Sequence, residues 1–304
     1  MHPISQNQII SIVTPSYNQG EFIDRTIRSI LSQEGSFYLD FIVMDGGSKD
    51  DSVNRIKEYA DLFPNAEVTG LYQDLRFQKI TGHTSCNTRC LGISYRWFSE
   101  KDNGQTHAIN KGWKLAIGSV IAWLNSDDIY LDSAVEKAWN ALKQNGSLAL
   151  YGIGLHIDKE DQFLEFYPVE PFHRERLIDY CMICQPTVFL KADVLSKVGY
   201  LNESLGYCMD YEYWLRISKE NSFWFLPEIL ACTRIHENTK TSQNYNVHRE
   251  IVQMQKNVVG KTSNHWLFHF AHYSFKNVFP NLNHPILLKS FVRLYYYYLK
   301  LFSF

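Results

Sequence analysis

The sequence predicts an α/β protein with a mostly parallel sheet flanked by helices, followed by a C-terminal helical extension. Short β-branched runs alternate with segments whose apolar residues recur at helical spacing, which is the pattern of βαβ units. Several of these runs end in polar turns, as at residues 120–128. From residue 243 onward the pattern is helical and increasingly aromatic. These observations predict a Rossmann-like sheet domain over residues 1–241 and a basic, aromatic extension over residues 242–304.

The composition is that of a globular protein. Hydrophobic residues make up 45% and charged residues 20% of the 304 residues, and the formal net charge of −2 gives no support for a nucleic-acid binder. The start lacks the basic segment and apolar run of a signal peptide, and no uninterrupted apolar run reaches about 18 residues. The six cysteines are few for this length, which suits a reducing compartment. We therefore expect a cytoplasmic location.

The first part of the predicted sheet domain alternates strand and helix. Residues 9–14 form a β-branched strand ended by a proline, and residues 22–33 carry apolar residues at helical spacing. A second strand is predicted at 41–44. The helix at 51–62 begins with acidic residues that suit its positive dipole end. Residues 65–95 include a polar, turn-rich stretch and predict an inserted loop or hairpin.

The later elements follow from the same periodicities. Strands are predicted at 96–99, 120–124, 148–152, 185–190, 223–226 and 229–232, with a hairpin at 154–167. Helices are predicted at 105–117, 133–145, 192–198 and 209–221.

Two adjacent carboxylates follow the predicted strand at 120–124. Asp127 and Asp128 lie where open α/β sheets bind their ligands, beyond the carboxyl end of a strand. The two would repel each other unless a cation or donor groups compensate, and oxygen ligands suit Mg²⁺ or Mn²⁺. The alternative is a polar turn that caps the next helix, because Asn, Ser and Asp are favoured N-cap residues. Both interpretations stay open on this stretch alone.

Asp45 stands at the end of the second predicted strand. Gly46 and Gly47 follow it and would let a ligand approach the backbone closely. Asp45 is then a candidate for hydrogen-bonding a nucleobase or ribose. An ordinary Asp-Gly turn is the alternative.

Six motifs in this order resemble those of the family 2 inverting glycosyltransferases of the GT-A fold, over roughly residues 9–241. They are Thr14-Pro15-Ser16-Tyr17-Asn18, Asp45-Gly46-Gly47-Ser48, Ser99-Glu100-Lys101-Asp102-Asn103-Gly104, Asn125-Ser126-Asp127-Asp128, Met209-Asp210-Tyr211-Glu212-Tyr213-Trp214-Leu215-Arg216 and Arg234-Ile235-His236. The resemblance implies a nucleotide-sugar donor, with a UDP-sugar favoured, and Mn²⁺ or Mg²⁺ as cofactor.

The resemblance also implies roles for individual residues. It assigns Asp210 as the general base, although this chain has Met209 where the family more often has Glu. It assigns Asp128 and His236 to the metal, and it makes Gln185 and Trp214 candidates for the acceptor side. The residues implied for the nucleotide sugar are Thr14, Pro15, Ser16, Tyr17, Asp45, Asp102, Gly104 and Asp127.

We expect sugar transfer to a hydroxyl of a carbohydrate or lipid-linked glycan acceptor, in the assembly of cell-surface polysaccharide or glycan. The alternative is a catalytically inactive GT-A module that binds nucleotide sugar as a scaffold. A nucleotidyltransferase is disfavoured because residues 14–20 contain no Lys or Arg. Residue by residue, Asp210 could be a dipole partner, His236 a surface histidine and Trp214 a core residue.

The last part of the chain is strongly basic. Residues 251–304 contain six Lys or Arg and no Asp or Glu. Within residues 285–304, Lys289, Arg293 and Lys300 fall on one stripe of a predicted helix among many apolar and Tyr residues. This pattern predicts peripheral contact with the inner face of a membrane. The alternative is a helix packed on the catalytic domain or on a twin subunit of a homo-oligomer.

Overall fold

The computed structural model describes residues 3–83, 87–237, 239, 243–281 and 285–302. The chain divides into two compact units. The first runs to Pro171 and adds Ile183–Leu201 and Asn221–Ile235. The second contains Phe172–Met182, Asn202–Glu220 and the chain from His236 onward.

The first unit is built on one sheet, and the predicted α/β class with a mostly parallel sheet is confirmed. The strand order is β3-β4-β5-β2-β1-β6-β10-β8-β11-β7, with β9 paired to β8. The strands are β1 (Ile9–Ser16), β2 (Tyr38–Asp45), β3 (Glu67–Tyr72), β4 (Leu75–Lys79), β5 (Gly92–Ser99), β6 (Val120–Trp123), β7 (Ile129–Tyr130), β8 (Ala149–Ile157), β9 (Phe163–Phe166), β10 (Phe189–Lys191) and β11 (Phe223–Arg234).

Helices cover the sheet and bury its apolar residues. In α1, Ile23, Ile27 and Ile30 recur at helical spacing and are fully buried in the core. The helices of the first unit are α1 (Ile23–Leu31), α2 (Ser52–Ala60), α3 (Gln105–Leu115), α4 (Ala134–Asn145) and α6 (Val194–Lys197). Those of the second unit are α5 (Arg174–Asp179), α7 (Met209–Ile217), α8 (Asn244–Val259), α9 (Asn264–Val278) and α10 (Pro285–Phe302). None of the helices in the described part of the chain has the length and apolarity to cross a bilayer.

Several predicted elements differ from the structure. The strand predicted at 185–190 is a 3-10 turn at Gln185–Thr187 followed by the short β10. The two strands predicted at 223–226 and 229–232 form the single strand β11, with register shifts beside Pro227. A proline lacks the N–H that a ladder needs, so the pairing is interrupted but the strand continues. Within residues 65–95, β3 and β4 form an antiparallel hairpin, and residues 84–86 lie outside the described residues.

The second unit does not follow the predicted boundary at residue 241. Helix α7 packs with α8 and α9 through a buried polar cluster around the hydroxyl of Tyr211. This hydroxyl donates to the Leu177 carbonyl at 2.6 Å and accepts from Gln255 Nε2 and Trp266 Nε1, each at 3.0 Å. All three partners belong to the second unit. The predicted C-terminal helices are therefore present, and they pack with α7 within the second unit.

Candidate active site

The carboxyl ends of four parallel strands meet at one edge of the sheet. Strands β5, β2, β1 and β6 are parallel neighbours, and their register places Ser16 opposite Asp45 and Asp45 opposite Ser99. The chain leaving β6 enters Asn125-Ser126-Asp127-Asp128 beside this row. The strand-end motifs of the sequence thus come together at the edge where open α/β sheets bind ligands.

Two hydroxyls at the end of β1 are buried without a partner. Among the described residues, neither Thr14 Oγ1 nor Ser16 Oγ has a hydrogen-bond partner. A buried hydroxyl that makes no hydrogen bond costs about 1–3 kcal/mol, so such groups mark places where a ligand can pair. Pro15 is buried between them, whereas Tyr17 is more than half exposed.

Asp45 is buried at the end of β2, and its carboxylate shapes the following loop. Oδ2 accepts hydrogen bonds from the backbone N–H groups of Gly47 and Ser48, each at 3.0 Å, and from Ser99 Oγ at 2.6 Å. Oδ1 accepts from Ser48 Oγ at 2.5 Å. A direct contact of Asp45 with a nucleoside, as predicted, would have to compete with these four bonds.

Asp102 lies against the same loop. A Cβ atom added at Gly46 would stand 2.8 Å from Asp102 Oδ2, so only glycine fits there without a shift. Asp102 Oδ1 accepts from the backbone N–H of Gly104, whose φ of +108° favours glycine. The partly exposed Asp102 is therefore fixed at the start of α3 and beside the loop that Asp45 organises.

Asn125 and Gln185 hold the end of β6 in place. Asn125 Nδ2 donates to Gln185 Oε1 at 3.0 Å and to Asp128 Oδ2 at 3.1 Å, while its Oδ1 accepts from Gln105 Nε2 at 2.7 Å. Gln185 Nε2 donates to the Trp123 carbonyl at 3.0 Å. Gln185 was predicted on the acceptor side, and in the structure its amide supports the strand end that carries the two aspartates.

Asp128 is buried, and both carboxylate oxygens accept hydrogen bonds. Oδ1 accepts from the backbone N–H of Arg234 at 3.0 Å, and Oδ2 accepts from Asn125. Burial, reinforced by the neighbouring Asp127 carboxylate, raises the pKa of Asp128 well above its usual range. Both carboxylate oxygens thus hold the loop that follows β6, and the role of Asp128 as a metal ligand stays a prediction.

Asp127 is the more accessible of the two carboxylates. Its backbone carbonyl accepts from Arg234 Nε at 2.8 Å, and the buried Arg234 guanidinium lies over the Phe22 ring, 5.1 Å from its centroid. Arg234 Nη1 also donates to the Asp158 carbonyl. Arg234 therefore holds the backbone carbonyl of Asp127 and the side-chain carboxylate of Asp128, a role that its position in the Arg234-Ile235-His236 motif did not reveal.

The predicted base lies in the second unit, in the first turn of α7. Asp210 is partly exposed, and its Oδ1 accepts from the N–H of Tyr211 at 2.7 Å. The chain just before α7 is held by Glu250 of α8, which accepts three backbone hydrogen bonds. They come from Gly206 at 2.8 Å, Tyr207 at 2.6 Å and Cys208 at 2.8 Å. Glu250 therefore positions the chain that leads into Asp210. In the sequence, Glu250 stood out only as the last acidic residue.

Two other predicted residues of the second unit have different surroundings. Trp214 is fully buried and offers no surface to an acceptor, which agrees with the alternative that it belongs to the core. His236 is partly exposed and begins a turn in which its carbonyl accepts from the N–H and hydroxyl of Thr239. Within the described residues, no cluster of three or more His, Cys, Asp or Glu is arranged to hold a metal by itself.

The model of the Glycosyl transferase family 2 matches residues 11–78 and 84–190, which is more than half of the chain. The chain belongs to glycosyltransferase family 2. An uncharacterized glycosyltransferase from Rickettsia typhi is 25% identical over 247 residues, covering 78% of this chain and 67% of its own length. The chondroitin synthase of Escherichia coli is 24% identical over 243 residues, covering 80% of this chain and 31% of its own length.

Solved structures of other glycosyltransferases share the fold. Residues 1–349 of TarS from S. aureus, in complex with UDP-GlcNAc, have a TM-score of 0.56 at 16% identity, and the match covers 88% of this chain and 73% of that fragment. The mannosyltransferase PcManGT from Pyrobaculum calidifontis, in complex with GDP-Man and Mn²⁺, has a TM-score of 0.56 at 13% identity. It covers 84% of this chain and 65% of its own. This family 2 glycosyltransferase thus has the GT-A fold, as the sequence predicted.

Proposed function

We propose that this enzyme transfers a sugar, with inversion, from a nucleotide-sugar donor to a hydroxyl of a carbohydrate or lipid-linked glycan. The observation that carries the donor site is the pair of buried hydroxyls of Thr14 and Ser16 at the carboxyl end of β1, which have no hydrogen-bond partner in the described part of the chain. They lie at the sheet edge shared with Asp45, Asp102 and Asp127. A nucleotide brings donors and acceptors that can satisfy such groups.

A UDP-sugar is the favoured donor. The complex of TarS with UDP-GlcNAc, a protein of the same fold, supports this choice. The exposed Tyr17 offers a ring face for a nucleobase, and Asp102 offers a carboxylate to the base or ribose. The similarity to a chondroitin synthase supports a role in polysaccharide assembly.

The residues at this edge fit a divalent cation that arrives with the donor. Mg²⁺ and Mn²⁺ on nucleotides are held by one or two carboxylates together with phosphate oxygens and water, so a closed protein cage is not required. Asp127 would hold the cation, while Asp128 and Arg234 hold the loop that carries it. The metal role that the resemblance implies for His236 stays a prediction. The bound cation would neutralise charge on the departing diphosphate.

Asp210 is the proposed general base. Its carboxylate is partly exposed at the first turn of α7, and Glu250 fixes the chain entering that turn. Taking the proton from the acceptor hydroxyl contributes about 10²–10⁴-fold to such reactions. Attack on the face opposite the departing nucleotide inverts the anomeric carbon.

The test is a screen of common nucleotide sugars with Mn²⁺ or Mg²⁺ and oligosaccharide or lipid-linked acceptors. We expect acceptor-dependent release of one nucleoside diphosphate, UDP in the first instance, and a product of inverted anomeric configuration by NMR. Calorimetry with the free nucleotides separates binding from turnover. Binding without turnover under all conditions would favour the inactive scaffold. The absence of both binding and turnover would overturn the proposal.

A further inference from the structure

Helix α10 exposes an apolar face that the rest of the described chain does not cover. Val292 and Leu299, seven residues apart, form the buried seam of the helix. On the opposite side, about half a turn away at 3.6 residues per turn, lies the outer face of α10. It consists of four side chains that are each more than half exposed: Leu294 (67%), Tyr297 (58%), Tyr298 (54%) and Leu301 (75%).

A basic flank borders this outer face. Lys289, Arg293 and Lys300 are exposed and recur at offsets of four and seven, so they share one side of the helix between the seam and the outer face. No acidic residue follows Glu250 in the sequence, so α9 and α10 carry no negative charge to offset this flank.

The helix is held on α9 in this orientation by aromatic contacts. The rings of Phe275 and Phe291 stack at 5.3 Å, and Tyr296 donates to Asn264 Oδ1 at 3.0 Å. Additional apolar side chains of the α9 end, Val278 and Phe279, are also more than half exposed. Both helices therefore carry exposed apolar side chains, which is unusual for a surface that faces only water.

We propose that the outer face of α10 docks on an anionic membrane surface. The four apolar and Tyr side chains would enter the headgroup boundary, where Tyr rings are favoured because one end is apolar and the other polar. The three basic side chains can extend from the flank to lipid phosphates while their aliphatic stems lie along the apolar boundary. A second copy of the chain fits less well, because a two-fold interface would bring two basic flanks together without an acidic partner.

Co-sedimentation of the full chain with vesicles tests this surface. We expect binding to phosphatidylcholine vesicles containing phosphatidylglycerol, and weaker binding to phosphatidylcholine alone. Replacing the flank (Lys289→Gln, Arg293→Gln, Lys300→Gln) should weaken binding to the anionic vesicles by roughly 100-fold, since each basic residue near such a surface contributes about fivefold. Leu294→Ser with Leu301→Ser should weaken binding to both vesicle types by at least about tenfold.

The matched control lies in the first unit. Phe163→Ser with Phe166→Ser removes two apolar side chains of β9 that are also more than half exposed. The residue beside Phe166 is the acidic Glu165, so the double substitution should leave vesicle binding unchanged. Circular dichroism and thermal melts confirm that each variant is folded. No binding of the wild type, or an equal loss in the β9 control, would overturn the proposal. So would a concentration-dependent dimer that Leu294→Ser and Leu301→Ser abolish, because that result would identify a contact between copies.

Discussion

Asp127 and Asp128 are adjacent in sequence but should respond to substitution in opposite ways. Asp128→Ala removes the acceptors of the Arg234 N–H and of Asn125 Nδ2. The buried N–H left unpaired costs about 1–3 kcal/mol and the second lost bond about 1 kcal/mol, so we expect a destabilisation of about 2–4 kcal/mol. At about 2–4 °C per kcal/mol for a chain of this size, the melting temperature should fall by roughly 5–15 °C.

Asp127→Ala should leave the fold nearly unchanged. Arg234 binds the backbone carbonyl of residue 127, which the substitution retains, so we expect a change within about 1 kcal/mol. The variant should instead lose the increase in UDP affinity that Mn²⁺ gives the wild type. Asp128→Asn is the graded control, because its amide keeps one acceptor for Arg234 but turns a donor toward Asn125, and it should melt between the wild type and Asp128→Ala.

Calorimetric titration with UDP, with and without Mn²⁺, and thermal melts of each variant provide the comparison. An Asp128→Ala variant that melts like the wild type and loses the Mn²⁺ effect, together with an Asp127→Ala variant that keeps it, would contradict this assignment. That result would return the metal to Asp128.

Three further predictions concern the second unit. Asp210→Asn should lower the transfer rate by about 10²–10⁴-fold and leave the affinity for the donor unchanged. A lower donor affinity with an unchanged transfer rate would exclude the role of general base. Glu250→Gln turns an amide NH₂ toward one of the three backbone N–H groups that Glu250 binds, so the free energy of unfolding should fall by about 1–3 kcal/mol. The same variant should lower kcat with little change in the KM for the donor. Burial and the nearby His265, His248 and His272 lower the pKa of His269 to about 4. The unfolded chain therefore binds more protons between about pH 6.5 and 4, stability should fall as the pH drops through this window, and His269→Gln should show a smaller fall.

The strand-end site could be predicted because its signals are local. A β-branched run followed by polar turn residues identifies the end of a strand, and parallel strands place such ends at one edge. The roles of individual carboxylates could not be predicted in this way. Asp128 bonds to a residue 106 positions away and Asp45 to one 54 positions away. These distant partners decide which carboxylate is buried and already engaged in hydrogen bonds within the protein. Adjacent aspartates look equivalent in a sequence until the fold gives one of them partners.

The boundary predicted at residue 241 illustrates a second limit. The family motifs end near that residue, and the change to a basic, aromatic composition suggested an appendage. Yet Glu250 caps the chain entering α7, and Gln255 and Trp266 both bond to the Tyr211 hydroxyl in α7. Each of these contacts joins a residue beyond the predicted boundary either to the helix that carries Asp210 or to the chain that enters it. A catalytic carboxylate must be held in position by the residues around it. The C-terminal helices therefore help to position the proposed base, even though the motif that identifies the base lies outside them.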